Sequence, residues 1–328
     1  MPTVLTAIPV YNGAHFFPET LDCIAAQTRR PDRIIVIDNA STDATPDIVR
    51  NYSRLHLEYR RNPTNVGGAG NLNLCLQLAD QADFLHLMMA DDLVGPTFLQ
   101  RSVDALTDVP GQALSYVLDD KINQQGRVVQ PAHRPADTTP RRVPPAEFLR
   151  RQGNLDSILL PGVLFKTDHR PIPAGFRNFP QVADCVFMAE LAHLGFSVVE
   201  IPEVLCQYRL NELNATSANR SRIDSFVRDE WRAMETIAGW IPESPLQRRL
   251  SRAWLKVRFA ARTEVKRQLF AAANPAYAAE IDAVRREIAG PLLGAAGLAA
   301  VHARDLVRRL RGQPTRLQEF ESLQNPGR

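Results

Sequence analysis

Two adjacent carboxylates, Asp91 and Asp92, close the apolar run Phe84-Leu-His-Leu-Met-Met-Ala90 and stand just before the breaker pair Gly95-Pro96. Magnesium and manganese take one or two protein carboxylates and complete their shell with phosphate oxygens and water, so acids at the end of a buried strand suit a metal held against a diphosphate. The structural alternative is that the acids start the helix that follows near Pro96. Three further places carry candidate chemistry. Tyr11, in Pro9-Val-Tyr-Asn12, is either an ordinary strand-end aromatic or a face for a nucleobase. Asp38 either caps its turn before Asn39-Ala-Ser or accepts hydrogen bonds from a base or ribose. The Gly67, Gly68, Gly70 cluster after Asn65 lacks the third glycine of the dinucleotide fingerprint, Asn73 standing in its place. It reads instead as small residues that permit a close helix-on-sheet approach or leave room for a bound nucleotide.

These groups fall where strands should end. Residues 3–10 and 33–38 are short apolar runs, a third strand begins near His56, and 84–89 makes a fourth. Helical spacing follows each of the first three: Phe17, Leu21 and Ile24, then the segment capped by Ser41-Thr42-Asp43 with Pro46 in its first turn, then Leu72, Leu76 and Ala79. Alternating β and α units of this length predict a parallel, doubly wound sheet whose ligands lie at the carboxyl ends of its strands. Beyond Pro96, residues 113–130 read as a hairpin turning at Asn123-Gln-Gln-Gly126, the Pro-rich 131–145 as a mobile loop, 159–165 as a strand, 183–194 as a helix and 198–208 as a strand. From about residue 220 the pattern is helical, which places a boundary near 218.

At 328 residues with 45% hydrophobic content the chain fills a sizeable core, and global disorder is excluded. The cysteines at 23, 75, 185 and 206 show no metal spacing and read as buried thiols of a reducing compartment. No leader precedes the first strand, and Ile288–Val301 is too short to span a bilayer, so a cytoplasmic protein is expected. The net charge of +3 hides an asymmetry: 20 Lys and Arg against 12 Asp and Glu from Arg220 onward, 19 against 24 before it. Arg248, Arg249, Arg252, Lys256, Arg258, Arg262, Lys266 and Arg267 read as a solvated basic face, or as one attracted to anionic lipid or a charged acceptor. No nucleic-acid module accompanies that charge.

Ile8-Pro-Val-Tyr-Asn12, Val36-Ile-Asp-Asn-Ala-Ser-Thr-Asp43, Asn65-Val-Gly-Gly-Ala-Gly70 and Ala90-Asp-Asp92 resemble, in order and spacing, the successive motifs of family 2 glycosyltransferases of GT-A fold. The resemblance covers roughly residues 1–215. It implies a mixed, mainly parallel Rossmann-like sheet flanked by helices. The GT-A domain would occupy 1–218, its donor half ending near 110 and its acceptor half following, with a helical region over 219–328. It also implies an inverting transfer of sugar from a nucleoside diphosphate, a UDP-sugar ahead of a dTDP- or GDP-sugar, to a carbohydrate or lipid-linked hydroxyl. By the same match Pro9, Val10, Tyr11, Asn12, Asp38, Asn65 and Gly67 line the donor site. Asp91 approaches the ribose, and Asp92, with Asp91, reaches a Mn2+ or Mg2+ ion. The segment Ala183-Asp-Cys-Val-Phe-Met-Ala-Glu-Leu191 resembles the family's acidic helix, which makes Asp184 the catalytic base. Its structural alternative is a helix cap. Two positions depart from the pattern: Ala90, preceded by Met89, stands where many members have an acid, and Asn211 in Gln207-Tyr-Arg-Leu-Asn211 stands where a histidine is common. Arg209 or Asn211 remains a candidate phosphate contact. The rivals are a nucleotidyltransferase, which would need a basic Gly-rich loop absent after the first strand, and a binding protein with a degenerate site.

Overall fold

The chain enters on β1 (Val4–Val10), whose side chains are almost all buried, and leaves it through α1 (Phe17–Ala25), with Pro18 in the first turn and Phe17, Leu21 and Ile24 on its buried face. Each such apolar side chain contributes about 1.5–3 kcal/mol when removed from water. The pattern repeats with β2 (Arg33–Asp38), α2 (Thr45–Asn51), β3 (Glu58–Arg61), α3 (Gly67–Leu76) and β4 (Phe84–Leu87). After the short β5 (Leu93–Val94) come α4 (Phe98–Thr107), β6 (Ala113–Ile122), β7 (Val128–Gln130), β8 (Arg141–Val143) and α5 (Pro145–Gly153). β9 (Val163–Lys166), α6 (Ala183–His193) and β10 (Ser197–Arg209) complete the sheet region. The helices α7 (Asp229–Gly239), α8 (Pro245–Phe270) and α9 (Pro275–Leu310) follow, the last broken by a kink at Gly290, where φ is 74° and Pro291 comes next. This computed structural model describes residues 2–177, 179, 182–211, 222–310, 313, 315 and 318.

The strand order is β3-β2-β1-β4-β9-β6-β10-β5, with β7 on β6 and β8 on β10. β1 pairs in parallel with both β2 and β4, so the chain winds outward through β2 and β3 and then crosses to the other side of β1. In sheets of this kind ligands bind at such a reversal, which here falls beyond the carboxyl ends of β1 and β4. β9 lies antiparallel between β4 and β6, which makes the sheet mixed.

Two compact units share the chain: one takes the described residues within 1–148, 157–178 and 183–210, the other those within 149–156, 179–182 and 211–328. The sequence-predicted boundary at 218 lies outside the described residues. Three expectations need correction. The Pro-rich stretch is tied down: β8 pairs with β10, Arg141 binds Glu200 at 2.6 Å, and Asp120 accepts the Ala132 N–H at 2.7 Å. The prolines at 140 and 144 flank β8 and leave its own N–H groups free to pair. The strand expected from Leu159 begins only at Val163, because Leu160–Gly162 forms a 3-10 turn around Pro161, which has no N–H to give.

The third correction concerns the basic helix. Arg252 pairs with Glu235, Arg262 and Lys266 with Glu230, and Arg267 with Glu264, so part of the basic set is tied to acids of the same unit, while Arg248, Arg249 and Arg252 are exposed as a solvated face would be. Burial alone would raise the Glu230 carboxyl, but the charges of Arg262 and Lys266 outweigh it and bring it down to about 2. The cysteines are reduced, with 75, 185 and 206 buried. Among the described residues no helix is long and apolar enough to cross a membrane.

Candidate functional site

The loop after β1 is held to the loop after β2 by side chains that grip backbone. Asn12, at φ 49°, gives its N–H to Ser41 Oγ at 2.9 Å and accepts the Thr42 N–H on Oδ1 at 2.8 Å. Gly13 N–H reaches Thr45 Oγ1 and Ala14 N–H reaches Asp43, both at 2.9 Å. A Cβ at Gly13 would stand 2.7 Å from Val10 Cγ2 and 3.6 Å from Ala90 Cβ, which fixes this loop beside the end of β4. Asn residues extend the wall to β3 and α3. Asn39 donates to Asn65 Oδ1 at 2.8 Å and to the Gly67 carbonyl at 3.2 Å, and its own Oδ1 accepts the Val66 N–H at 2.9 Å. Asn62 bridges Asn39 and Asn71.

Within this wall Tyr11 is half exposed, and residues 63–69 are exposed around Asn65 and Gly67. Pro9 is partly buried. Val10 points into the core, so only its backbone faces the loop, where its carbonyl takes the Asn39 N–H at 2.8 Å. Asp38 is wholly buried and already engaged: Oδ1 accepts the Ser41 N–H at 2.9 Å, and Oδ2 takes Tyr59 Oη and Arg61, each at 2.5 Å. Burial would raise its pKa, yet these hydrogen bonds bring it below the ordinary carboxylate value, so the group is charged at neutral pH. In this arrangement Asp38 braces the Tyr59 and Arg61 side chains, a partnership not visible in the strand-end motif.

The two acids after β4 differ. Asp92 is 2% exposed, and its Oδ1 accepts the Arg209 N–H at 2.8 Å. Its carbonyl takes Thr20 Oγ1 at 3.0 Å. Burial first, and then the Asp91 charge, push its pKa well up, opposed by the Arg209 N–H. Asp91 is only partly buried. Arg209, a candidate phosphate contact by sequence, is instead fully buried. Its guanidinium donates to the Asp91 carbonyl at 2.9 Å, to the Gln124 carbonyl at 3.1 Å and to Glu19 at 2.5 Å, and it lies 4.5 Å over the Phe16 ring. Arg209 is therefore a strut under the acid pair.

Asp184 sits in the first turn of α6, partly buried, and accepts a hydrogen bond from Ser157 Oγ. Loss of hydration raises its pKa, while Ser157 and the N–H groups of its own helix turn oppose the rise. Capping and base chemistry are thus both open to it. Lys121, at the end of β6, lowers the carboxyl pKa of both Asp92 and Asp184, which places its charge near each. Its ammonium binds Asp119 at 2.6 Å and lies 4.9 Å from the Tyr208 ring centre. Neither Ser157 nor Lys121 carried a motif; the one signal was a lysine directly after Asp119-Asp120 in an arginine-rich chain. Asn211 belongs to the other compact unit.

Among the described residues no group of three or more His, Cys, Asp or Glu is placed to hold a metal ion alone. Asp92 is buried with its Oδ1 on the Arg209 N–H, and Asp91 beside it is partly buried. One carboxylate fits a hard divalent cation when diphosphate oxygens and water complete the shell.

Residues 6–156 match the family described as Glycosyl transferase family 2. An uncharacterized glycosyltransferase of Rickettsia prowazekii is 28% identical over 138 residues, covering 40% of this chain and 42% of that protein. The amylovoran biosynthesis glycosyltransferase AmsB of Erwinia amylovora is 30% identical over 109 residues, 32% of this chain and 36% of the relative. The chain thus matches less than half the length of these relatives. Among solved structures, S. aureus TarS 1-349 in complex with UDP-GlcNAc aligns at a TM-score of 0.59 with 18% identity, covering 95% of this chain and 92% of the other. The mannosyltransferase PcManGT from Pyrobaculum calidifontis, in complex with GDP-Man and Mn2+, aligns at 0.54 with 20% identity over 100% and 88%. At these identities the structural likeness speaks for the GT-A fold.

Proposed function

We propose, from the match of residues 6–156 to glycosyl transferase family 2 and from the GT-A fold, that this chain is a glycosyltransferase of that family and moves a sugar from a nucleoside diphosphate to an acceptor hydroxyl with inversion at the anomeric carbon. The observation that carries this reading is the hydrogen-bonded wall joining the ends of β1, β2 and β3 beside Asp91, at the point where the strand order reverses. The ligands named for the structural neighbours, UDP-GlcNAc and GDP-Man, support a nucleotide-sugar donor. The names of relatives such as AmsB support a place in polysaccharide or other glycoconjugate synthesis.

In this reading Tyr11 offers its exposed ring to the base, and the loops carrying Asn12, Asn65 and Gly67 set the depth of the donor pocket. Asp38 acts at one remove, by orienting Tyr59 and Arg61. Asp91 would hold Mn2+ or Mg2+ together with the diphosphate, and Asp92, anchored on Arg209, fixes the backbone that presents it. The ion would neutralise charge on the departing diphosphate. Asp184, its pKa raised, takes the proton from the acceptor hydroxyl as that oxygen bonds to the anomeric carbon and the bond to the diphosphate breaks. A single displacement inverts the centre.

Incubation with labelled UDP-, dTDP- and GDP-sugars in the presence of Mn2+ tests the proposal: nucleoside diphosphate is released with one donor class, through transfer or slow hydrolysis. Binding without release from any of them would favour a degenerate binding protein.

A further inference from the structure

α8 begins on a capping box, with Ser244 and Gln247 bonding each other's backbone, so its first turns are firmly helical. Those turns project apolar side chains into solvent: Leu246 is 68% exposed, Leu250 64% and Trp254 59%. At four-residue spacing the three form one ridge. It lies opposite the helix's buried residues Leu255 and Phe259. Farther along, α9 covers α8 closely, since a Cβ on Gly297 would come within 2.6 Å of Ala260 Cβ and 2.9 Å of the Ala261 nitrogen. The ridge is the stretch α9 leaves bare. A lone exposed leucine is ordinary, but two leucines and a tryptophan in line need an occupant.

Charge decides which. Residues 243–256 hold four cations, Arg248, Arg249, Arg252 and Lys256, against the single acid Glu243. On a wheel of 3.6 residues per turn, Arg249 and Lys256 fall on one flank of the ridge, whereas Arg252 faces away and pairs with Glu235. Among the described residues Arg249 and Lys256 have no ion pair. A second copy of the chain docked here would bring like charges together. Nucleic acid would answer the charge and leave the leucines wet. A surface with hydrocarbon beneath and negative charge above answers both, and tryptophan favours that boundary.

We infer that the ridge Leu246-Leu250-Trp254, with Arg249 and Lys256 beside it, is a docking surface for anionic phospholipid bilayers. It goes beyond the sugar-transfer reading and does not rest on it. The test is flotation of the full chain with phosphatidylcholine vesicles, with and without about one-third phosphatidylglycerol. Binding is expected only to the anionic vesicles and to fall with salt. The Leu250→Glu/Trp254→Glu variant should lose it with an unchanged thermal melt, since both side chains are exposed. Arg249→Gln/Lys256→Gln should weaken partition roughly 30-fold. Absence of binding to anionic vesicles, or full binding by the double-Glu variant, overturns the inference. A concentration-dependent dimer dissolved by the same two glutamates, without vesicle binding, would overturn it in favour of a second copy.

Discussion

In the loops after β1, β2 and β3, polar side chains bind neighbouring backbone: Asn12 holds the Thr42 N–H, Asp38 the Ser41 N–H and Asn39 the Val66 N–H. In the helical unit they bind one another, Glu230 with Arg262 and Lys266, and Glu264 with Arg267. The first kind of tether is short and largely neutral, and it fixes a loop's path with little dependence on salt. The second joins α7 to α8 through Glu230, or one turn of α8 to the next through Glu264, and lasts only while its groups stay ionised. A pocket for a charged ligand gains from the first, because its own amides and carboxamides leave the ligand's charge unopposed.

Replacing Asp184 by Asn gives the largest effect, since it removes a reacting group and not a tether: kcat should fall about 10²- to 10⁴-fold with nucleotide affinity nearly unchanged. A variant within tenfold of the parent would end the assignment. Arg209→Met removes a buried guanidinium whose acid partner, Glu19, is more than half exposed. It strips partners from two carbonyls and from Glu19, and should cost about 2–4 kcal/mol in urea unfolding. A loss below about 1 kcal/mol would mean that the acid pair stands without its strut.

Glu230 sharpens the contrast through pH. Its folded pKa is depressed from 4.5 to about 2, so the stability it adds is complete above 4.5 and is lost as pH falls through that window, about 3 kcal/mol in all. Glu230→Gln should flatten that part of the stability curve, and an unchanged acid limb would place the acid sensitivity elsewhere. Asn39→Ala should cost about 1–3 kcal/mol and raise the donor KM more than it lowers kcat, because it loosens the wall and touches no reacting atom. The reverse pattern would make Asn39 a participant. The smallest effect is at Ser157: its hydroxyl holds the Asp184 pKa down, so Ser157→Ala should move the acid limb of kcat/KM to higher pH, and a downward move would contradict that role.

Much of the frame was legible because it is local. Apolar runs and helical spacing placed β1 to β4 and their helices to within a few residues, and α6 and β10 nearly as well. What escaped was set by distant partners. The Pro-rich stretch reads as loose until Asp120 and Glu200 take hold of it. Arg262 and Lys266 of α8 read as solvated until α7 supplies the buried Glu230.

The acid pair divides the two kinds of knowledge. That Asp91 and Asp92 stand just past a buried strand, as the last of four motifs in fixed order, is legible in the sequence, because apolar runs and motif spacing are properties of neighbouring residues; that the strand stops at Leu87 and the acids sit in the turn beyond it is not. Which of the two is buried was decided by the tertiary structure: the Arg209 N–H, 117 residues away, gives Asp92 a hydrogen bond that compensates its burial, while Asp91 is only partly buried.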